Sequence, residues 1–258
     1  MAGWTLRTSP EPPVEPIGLF TSLPVMWGEG GDLPDLLAAA RQPHRVRQAL
    51  AQVGVIKPQD RLEDLGPKLR RLVMAQPRPL APSENLALDR WVRGGGELLL
   101  FADPMLTEPS AYALGDPRRP QDVVLLSPIL ARWGLELMFD EQQPGGVRHV
   151  ALGNAAVPVN LPGFWRVAGK NCQTDGQGLL VSCQIGKGHV LALADAEVLS
   201  AQDPDQSRTR ALASLLSQAG SSGASSPASS AGACAVGRST GAKGCSSGCC
   251  ASASTRVS

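Results

Sequence analysis

The chain has 258 residues, of which 43% are hydrophobic and 4% aromatic, with a net charge of +1. That length accommodates one sizeable α/β domain or two small ones with a real core. The near-neutral charge argues against a general polyanion binder and the few aromatics against a base-stacking platform, so no nucleic-acid partner is expected. No run of about 18 apolar residues occurs, so no transmembrane helix is expected.

Residues 1–16 (MAGWTLRTSPEPPVEP) lack the basic start and apolar stretch of a signal peptide and read as a flexible, Pro-rich leader. As written, the chain is expected to be soluble and cytoplasmic. A periplasmic location would follow if its true start lay elsewhere. Ile17–Leu23 is a short apolar run between Pro16 and Pro24 and predicts a buried strand. A Gly/Pro-rich loop with Trp27 and Glu29 follows. Leu36–Val53 carries a weak helical pattern interrupted at Pro43, Gly54–Ile56 predicts a short edge strand, and Arg71–Gln76 is a second apolar run ending at Pro77.

The pattern then sharpens. Ser83 can N-cap a helix whose apolar face is Leu86, Leu88, Trp91 and Val92, and Gly94–Gly96 would stop it. Glu97–Ala102 predicts a buried strand. Asp122–Trp133 predicts a second amphipathic helix closed by Gly134, followed by a strand at Leu135–Phe139. Between 147 and 185 short extended runs alternate with Gly, Asn and Pro, which predicts a β-hairpin insertion. Gly188–Asp195 is the last core strand and Arg208–Gln218 a final helix. Apolar strands alternating with helices imply a mostly parallel sheet covered on both faces. The expected fold is a three-layer flavodoxin-like α/β sandwich over 17–218, with the β insertion before its last core strand.

The remainder, 219–258, is almost entirely Ser, Ala, Gly and Cys. From Gly220 on it has no Asp or Glu and three basic residues, Arg238, Lys243 and Arg256, so its +3 leaves the body at −2. With few large apolar residues to offset ordering entropy, it is expected to be disordered. Its abrupt change of composition also resembles a reading-frame shift.

Gly94–Gly96 invite comparison with a phosphate-binding loop. Such loops follow a strand and open a helix, so that helix N–H groups face the anion. Here the order is helix, glycines, strand, which presents carbonyl groups instead. Neither G-x-G-x-x-G nor G-x-x-x-x-G-K-[ST] occurs. No cofactor is expected.

Two aspartates directly follow predicted parallel strands, Asp103 and Asp195. Open α/β sheets bind ligands outside the carboxyl ends of their strands. The same edge should receive Thr21, Ser22, Trp27 and Glu29 from the first loop, and Gln76 and Arg78 after the second apolar run. These eight residues form a candidate ligand-binding rim. The competing reading is local: an aspartate at a strand end commonly caps the next turn. No motif of a metalloprotease, serine hydrolase or dithiol redox enzyme is present, and the tail cysteines Cys234, Cys245, Cys249 and Cys250 have no scaffold to make a metal site. Cys172 and Cys183 would lie opposite each other in a hairpin turning at Gln177–Gly178. They are either a disulfide, in an oxidising compartment, or ordinary buried thiols.

The segment ALDRWVRGGGELLLFADP, with SPILARWGLEL and GKGHVLALAD after it, resembles the class I glutamine amidotransferase-like superfamily. It is most similar to the auxiliary-component branch of ABC-type transport systems, of the gliding-motility-associated type, over roughly Ile17–Gln218. Enzymes of that superfamily carry a nucleophilic cysteine on the turn after this strand. Here the turn reads Ala102-Asp103-Pro104, and no cysteine precedes 172. The resemblance therefore implies a non-catalytic domain that binds a ligand or a partner, with transporter or membrane-complex subunits as the expected partners. The alternative expectation is a hydrolase that uses Asp103 and Asp195 directly or through a divalent metal.

Overall fold

The computed structural model describes residues 15–26, 29, 44–175, 177–200 and 206–221. The expectations for Trp27, for the first part of the weak helix before 44, for most of the leader and for nearly all of the tail lie outside the described residues. In chain order the elements are β1 (Pro16–Thr21), α1 (Arg45–Val53), β2 (Val55–Pro58), β3 (Arg71–Ala75), α2 (Pro82–Arg93), β4 (Glu97–Phe101), α3 (Ser127–Arg132) and β5 (Leu135–Met138). They continue with β6 (Arg148–Leu152), β7 (Ala155–Val159), β8 (Phe164–Val167), β9 (Cys172–Thr174), β10 (Leu180–Ile185), β11 (Gly188–Leu193), a 3₁₀ turn at Glu197–Leu199 and α4 (Gln206–Ser221).

The protein is a mixed α/β fold built on a seven-stranded, mostly parallel sheet in the order β2-β1-β3-β4-β11-β10-β9. The five strands from β2 to β11 run parallel, and β10 and β9 complete the sheet antiparallel. The parallel strands are the continuous apolar runs of the sequence, because a strand covered on both faces has no polar side to alternate. β11 is buried at every residue and β4 at four of five. α1 packs with α4 and α2 with α3, while both α2 and α4 also rest on β11.

Within β3, β4 and β11 the register is level: Leu72, Leu98 and Val190 are neighbours at one end, and Ala75, Phe101 and Leu193 at the other. The residues that leave these three strands therefore emerge side by side. This alignment is what brings Gln76, Asp103 and Asp195 to one edge.

Several local expectations give way to packing. α2 begins at Pro82 and its N-cap is Ala81, not Ser83. Pro82 supplies the fixed φ of a first helical residue, and the Glu84 carboxylate accepts from the Ala81 N–H at 2.9 Å, while Ser83 donates to Glu63 Oε1 at 2.7 Å. Leu86 is 53% exposed, because the buried face of α2 is Glu84, Leu88, Asp89 and Val92. Buried Asp89 accepts from Arg93 at 2.9 Å, Arg132 at 2.6 Å and the Trp133 indole at 3.0 Å. It thereby ties α2 to α3. The helix expected from Asp122 forms only over Ser127–Arg132. Pro128 sits in its first turn, and the Val124 N–H is already bonded to Asp103 O at 3.1 Å.

β5 does not join the main sheet. It pairs antiparallel with β8, and β6 with β7, as two separate two-stranded sheets, so the excursion after β4 is wider than one hairpin. α4 runs to Ser221, three residues past the expected end, with Ala219 buried. The glycines Gly94–Gly96 do end α2: Gly95 has φ +114°, and a Cβ on Gly96 would sit 2.4 Å from the Trp91 ring. Cys172 and Cys183 are directly opposed in the β9–β10 ladder and joined in a disulfide, with Cα atoms 4.0 Å apart.

Candidate functional site

The level ends of β1, β3, β4 and β11 collect Thr21, Ser22, Gln76, Asp103 and Asp195. Most of their hydrogen bonds run to backbone. Thr21 Oγ1 donates to Ala75 O at 2.7 Å and accepts from Leu23 N at 2.9 Å. Ser22 Oγ donates to Gln76 O at 2.5 Å and accepts from Gln121 N at 3.0 Å. Gln76 is fully buried with φ +42°, a region that costs a non-glycine residue about 1–3 kcal/mol. Its amide offsets that cost: Nε2 donates to Asp103 O at 3.0 Å and Gln121 O at 2.8 Å, and Oε1 accepts from Asp103 N at 2.9 Å. Gln76 thus clamps the end of β3 to the turn after β4.

The two aspartates are buried, Asp103 1% and Asp195 0% exposed. Asp103 Oδ1 accepts from Met105 N at 2.8 Å and Oδ2 from Ala196 N at 3.1 Å. Asp195 Oδ1 accepts from Glu197 N at 2.6 Å and Oδ2 from Asn160 N at 2.9 Å. Each carboxylate therefore spends both oxygens on backbone amides, fastening the turns after β4 and β11 and the residue after β7. Glu197 is buried beside them and is paired with buried Arg208 at 2.6 Å.

Burial pushes the Asp103 carboxyl up to about 7, the negative charge of Glu197 adds to the rise, and the Met105 and Ala196 N–H groups oppose it. Asp195 is also raised well above the usual range, first by burial and then by the charge of Asp103. A cavity of about 10 Å³ lies against Asp103, lined also by His44, Thr107, Glu108, Glu197 and Ser200. That volume admits about one water.

The other candidates point elsewhere. Arg78 forms a bidentate pair with Glu84, both contacts at 2.8 Å, and lies over the Phe20 ring at 4.9 Å. It braces the start of α2. Glu29 accepts from Ser110 Oγ at 2.9 Å and Ala111 N at 2.6 Å, holding the loop after β4. Gln121, Asn160, Glu197 and Arg208 belong to the same network and were not among the sequence candidates. Of these only Glu197 carried a local signal, lying two residues after Asp195. Among the described residues, no group of three or more His, Cys, Asp or Glu side chains is placed to hold a metal ion.

Raised folded-state pKa values set a direction for stability against pH. An aspartate near 3.9 when unfolded and about 7 when folded binds more protons in the native state between those values. Its contribution is therefore most favourable below about pH 4 and declines as pH rises through the folded value. Asp103→Asn is expected to flatten the stability curve relative to the parent between about pH 4 and 7, by at most about 1.4 kcal/mol per pH unit. Chemical denaturation across that range measures it. Taking the difference between the two proteins removes the opposite slope from His44, lowered to about 4 by burial and by Arg45. Parallel curves would show that Asp103 does not titrate in this window.

No protein-family model matches the chain. No curated protein matches it either. Among solved structures, it is similar to an exo-β-1,4-mannosidase from an Opitutaceae bacterium, at 16% identity and a TM-score of 0.46, over 80% of this chain and 35% of that one. It is also similar to the mmIFT52 N-terminal domain, at 14% identity and TM-score 0.48, over 71% and 91% of the two chains. A third is a ThuA-like protein from Bacteroides uniformis, at 11% identity and TM-score 0.42, over 82% and 94%. The chain spans about a third of the mannosidase. At this degree of likeness none of these proteins' activities carries over.

Proposed function

We propose that this chain is a non-catalytic α/β domain that binds a ligand or a partner, as an auxiliary component of a transport-related complex, in a flavodoxin-like, glutamine amidotransferase-like fold. The order β2-β1-β3-β4-β11 of its parallel strands supports the fold, since it follows the flavodoxin-like 2-1-3-4-5 order. One observation carries the functional reading. The turn after β4, where the resembling enzymes keep a nucleophilic cysteine, holds a buried aspartate with both oxygens on backbone amides and room beside it for about one water.

Co-purification of the full chain with transporter subunits encoded beside it tests the reading. A stable complex is expected, and no complex with any of them would overturn it. The second reading, a hydrolase using Asp103 and Asp195, is favoured by their raised proton affinity, a common property of acid–base residues. On the binding reading, millimolar Mg²⁺ or Mn²⁺ leaves the melting temperature within about 1 °C of the metal-free value. A rise that Asp103→Ala abolishes would favour the hydrolase instead.

A further inference from the structure

We propose that the Cys172–Cys183 disulfide is a redox-operated clasp on the last strand of the main sheet. Oxidised, it holds β9 against β10; reduced, it lets β9 detach and leaves the outer edge of β10 unpaired. This inference is independent of the binding role proposed above.

The two strands are anchored very unequally. β10 is paired with β11 over six residues and buries Val181, Cys183 and Ile185. β9 has three residues, pairs with β10 at three positions, and buries only Cys172, leaving Gln173 and Thr174 exposed. So short a pairing is marginal without packing behind it. The side chain that fixes β9 in the core is therefore the same one that carries the covalent link. Cys172 and Cys183 form a non-hydrogen-bonded pair, the position at which opposed side chains come closest. Gln173–Ser182 and Asn171–Gln184 are the hydrogen-bonded pairs on either side, with Gln184 N donating to Asn171 O at 2.9 Å.

The step is a thiol–disulfide exchange. A dithiol reductant supplies two electrons and two protons; the Sγ–Sγ bond breaks, two cysteine thiols form, and the reductant becomes a disulfide. The Cys183 thiol is small and apolar enough to stay buried, so the core formed by β4, β11 and β10 persists, while the Cys172 thiol is free to leave it with β9. β9 then keeps its short ladder to β10, its contact with β8 and the Asp175–Leu180 hydrogen bonds at the turn, and without the covalent link the ladder at Gln173 and Asn171 frays. The N–H groups of Ser182 and Gln184 then face outward on a free edge, which is a template for pairing with another strand.

The test uses the full chain with Cys234→Ser, Cys245→Ser, Cys249→Ser and Cys250→Ser, so that only the β9–β10 pair responds. Thiol alkylation under denaturing conditions is expected to label no cysteine before dithiothreitol and both after it. Two labelled thiols in protein prepared without reductant would overturn the proposal. Hydrogen exchange should then show the amides of Gln173, Ser182 and Gln184 exchanging at least tenfold faster after reduction, with β4 and β11 unchanged. Adding Cys172→Ser and Cys183→Ser should reproduce that pattern without reductant. Unchanged exchange, or loss of protection across the whole sheet, would overturn it.

Discussion

Replacing Arg208 with Met is expected to lower the stability of this domain by about 3–5 kcal/mol, the usual cost of removing one partner of a buried ion pair. The guanidinium lies 2.6 Å from Glu197 Oε1, and the side chains are 5% and 8% exposed. A second nitrogen of the same group donates to the Glu197 carbonyl. Without it, Glu197 is left as an uncompensated buried carboxylate and the start of α4 loses its tie to the 3₁₀ turn. For a domain of this size the loss corresponds to a fall in Tm of roughly 10 °C. Urea denaturation of Arg208→Met, Glu197→Leu and the double variant measures it. The double variant should recover most of the loss, since well-packed apolar replacements of a buried pair are often neutral. A change under about 1 kcal/mol in Arg208→Met would show that the pair is solvated.

Gly188→Ala is expected to be at least as damaging. A Cβ at this position would lie 1.9 Å from Val92 O and 2.4 Å from Gly96 O. Both obstacles are backbone, one at the end of α2 and one at the start of β4, so no rotamer change relieves them. Overpacking of a core usually costs about 1–3 kcal/mol and more where the backbone itself must move. The variant should lose more than about 3 kcal/mol or fail to accumulate as soluble protein. Gly66→Ala is the matched control, since nothing lies within 4 Å of a Cβ there. It should leave the denaturation midpoint nearly unchanged. If Gly188→Ala unfolds at the parent's midpoint, the close approach of β11 to the α2–β4 connection is wrong.

Gly188 also bears on Gly94–Gly96, which first invited a phosphate-loop reading. It is Gly188, not those three residues, that lets β11 pass within van der Waals distance of the end of α2 and of Gly96. Element order excludes the phosphate loop, and the glycines answer to their own turn: Gly95 takes a positive φ and Gly96 leaves room for the Trp91 ring.

What the chain's order of residues determined is the set of buried parallel strands. Ile17–Phe20, Leu72–Ala75, Leu98–Phe101 and His189–Leu193 are near-continuous apolar runs, and only a strand covered on both faces reads that way. It also placed Cys172 opposite Cys183, since a hairpin turning at Gln177–Gly178 leaves them almost equally distant from the turn. And it put Asp103 and Asp195 just after parallel strands, while the level register that sets them side by side comes from the tertiary structure.

The tertiary structure decided what those aspartates do. Sequence position could not show that Met105, Ala196, Glu197 and Asn160 present their N–H groups to the two carboxylates, because Asp103 and Ala196 are 93 residues apart and Asp195 and Asn160 are 35 apart. Nor could it show that Arg78 turns away to Glu84, that Gln76 is held in a left-handed conformation by Asp103 and Gln121, or that β5 leaves the main sheet for β8. Each of these depends on which distant backbone group arrives within about 3 Å of a side chain. That is a property of packing between elements, and local pattern carries no record of it.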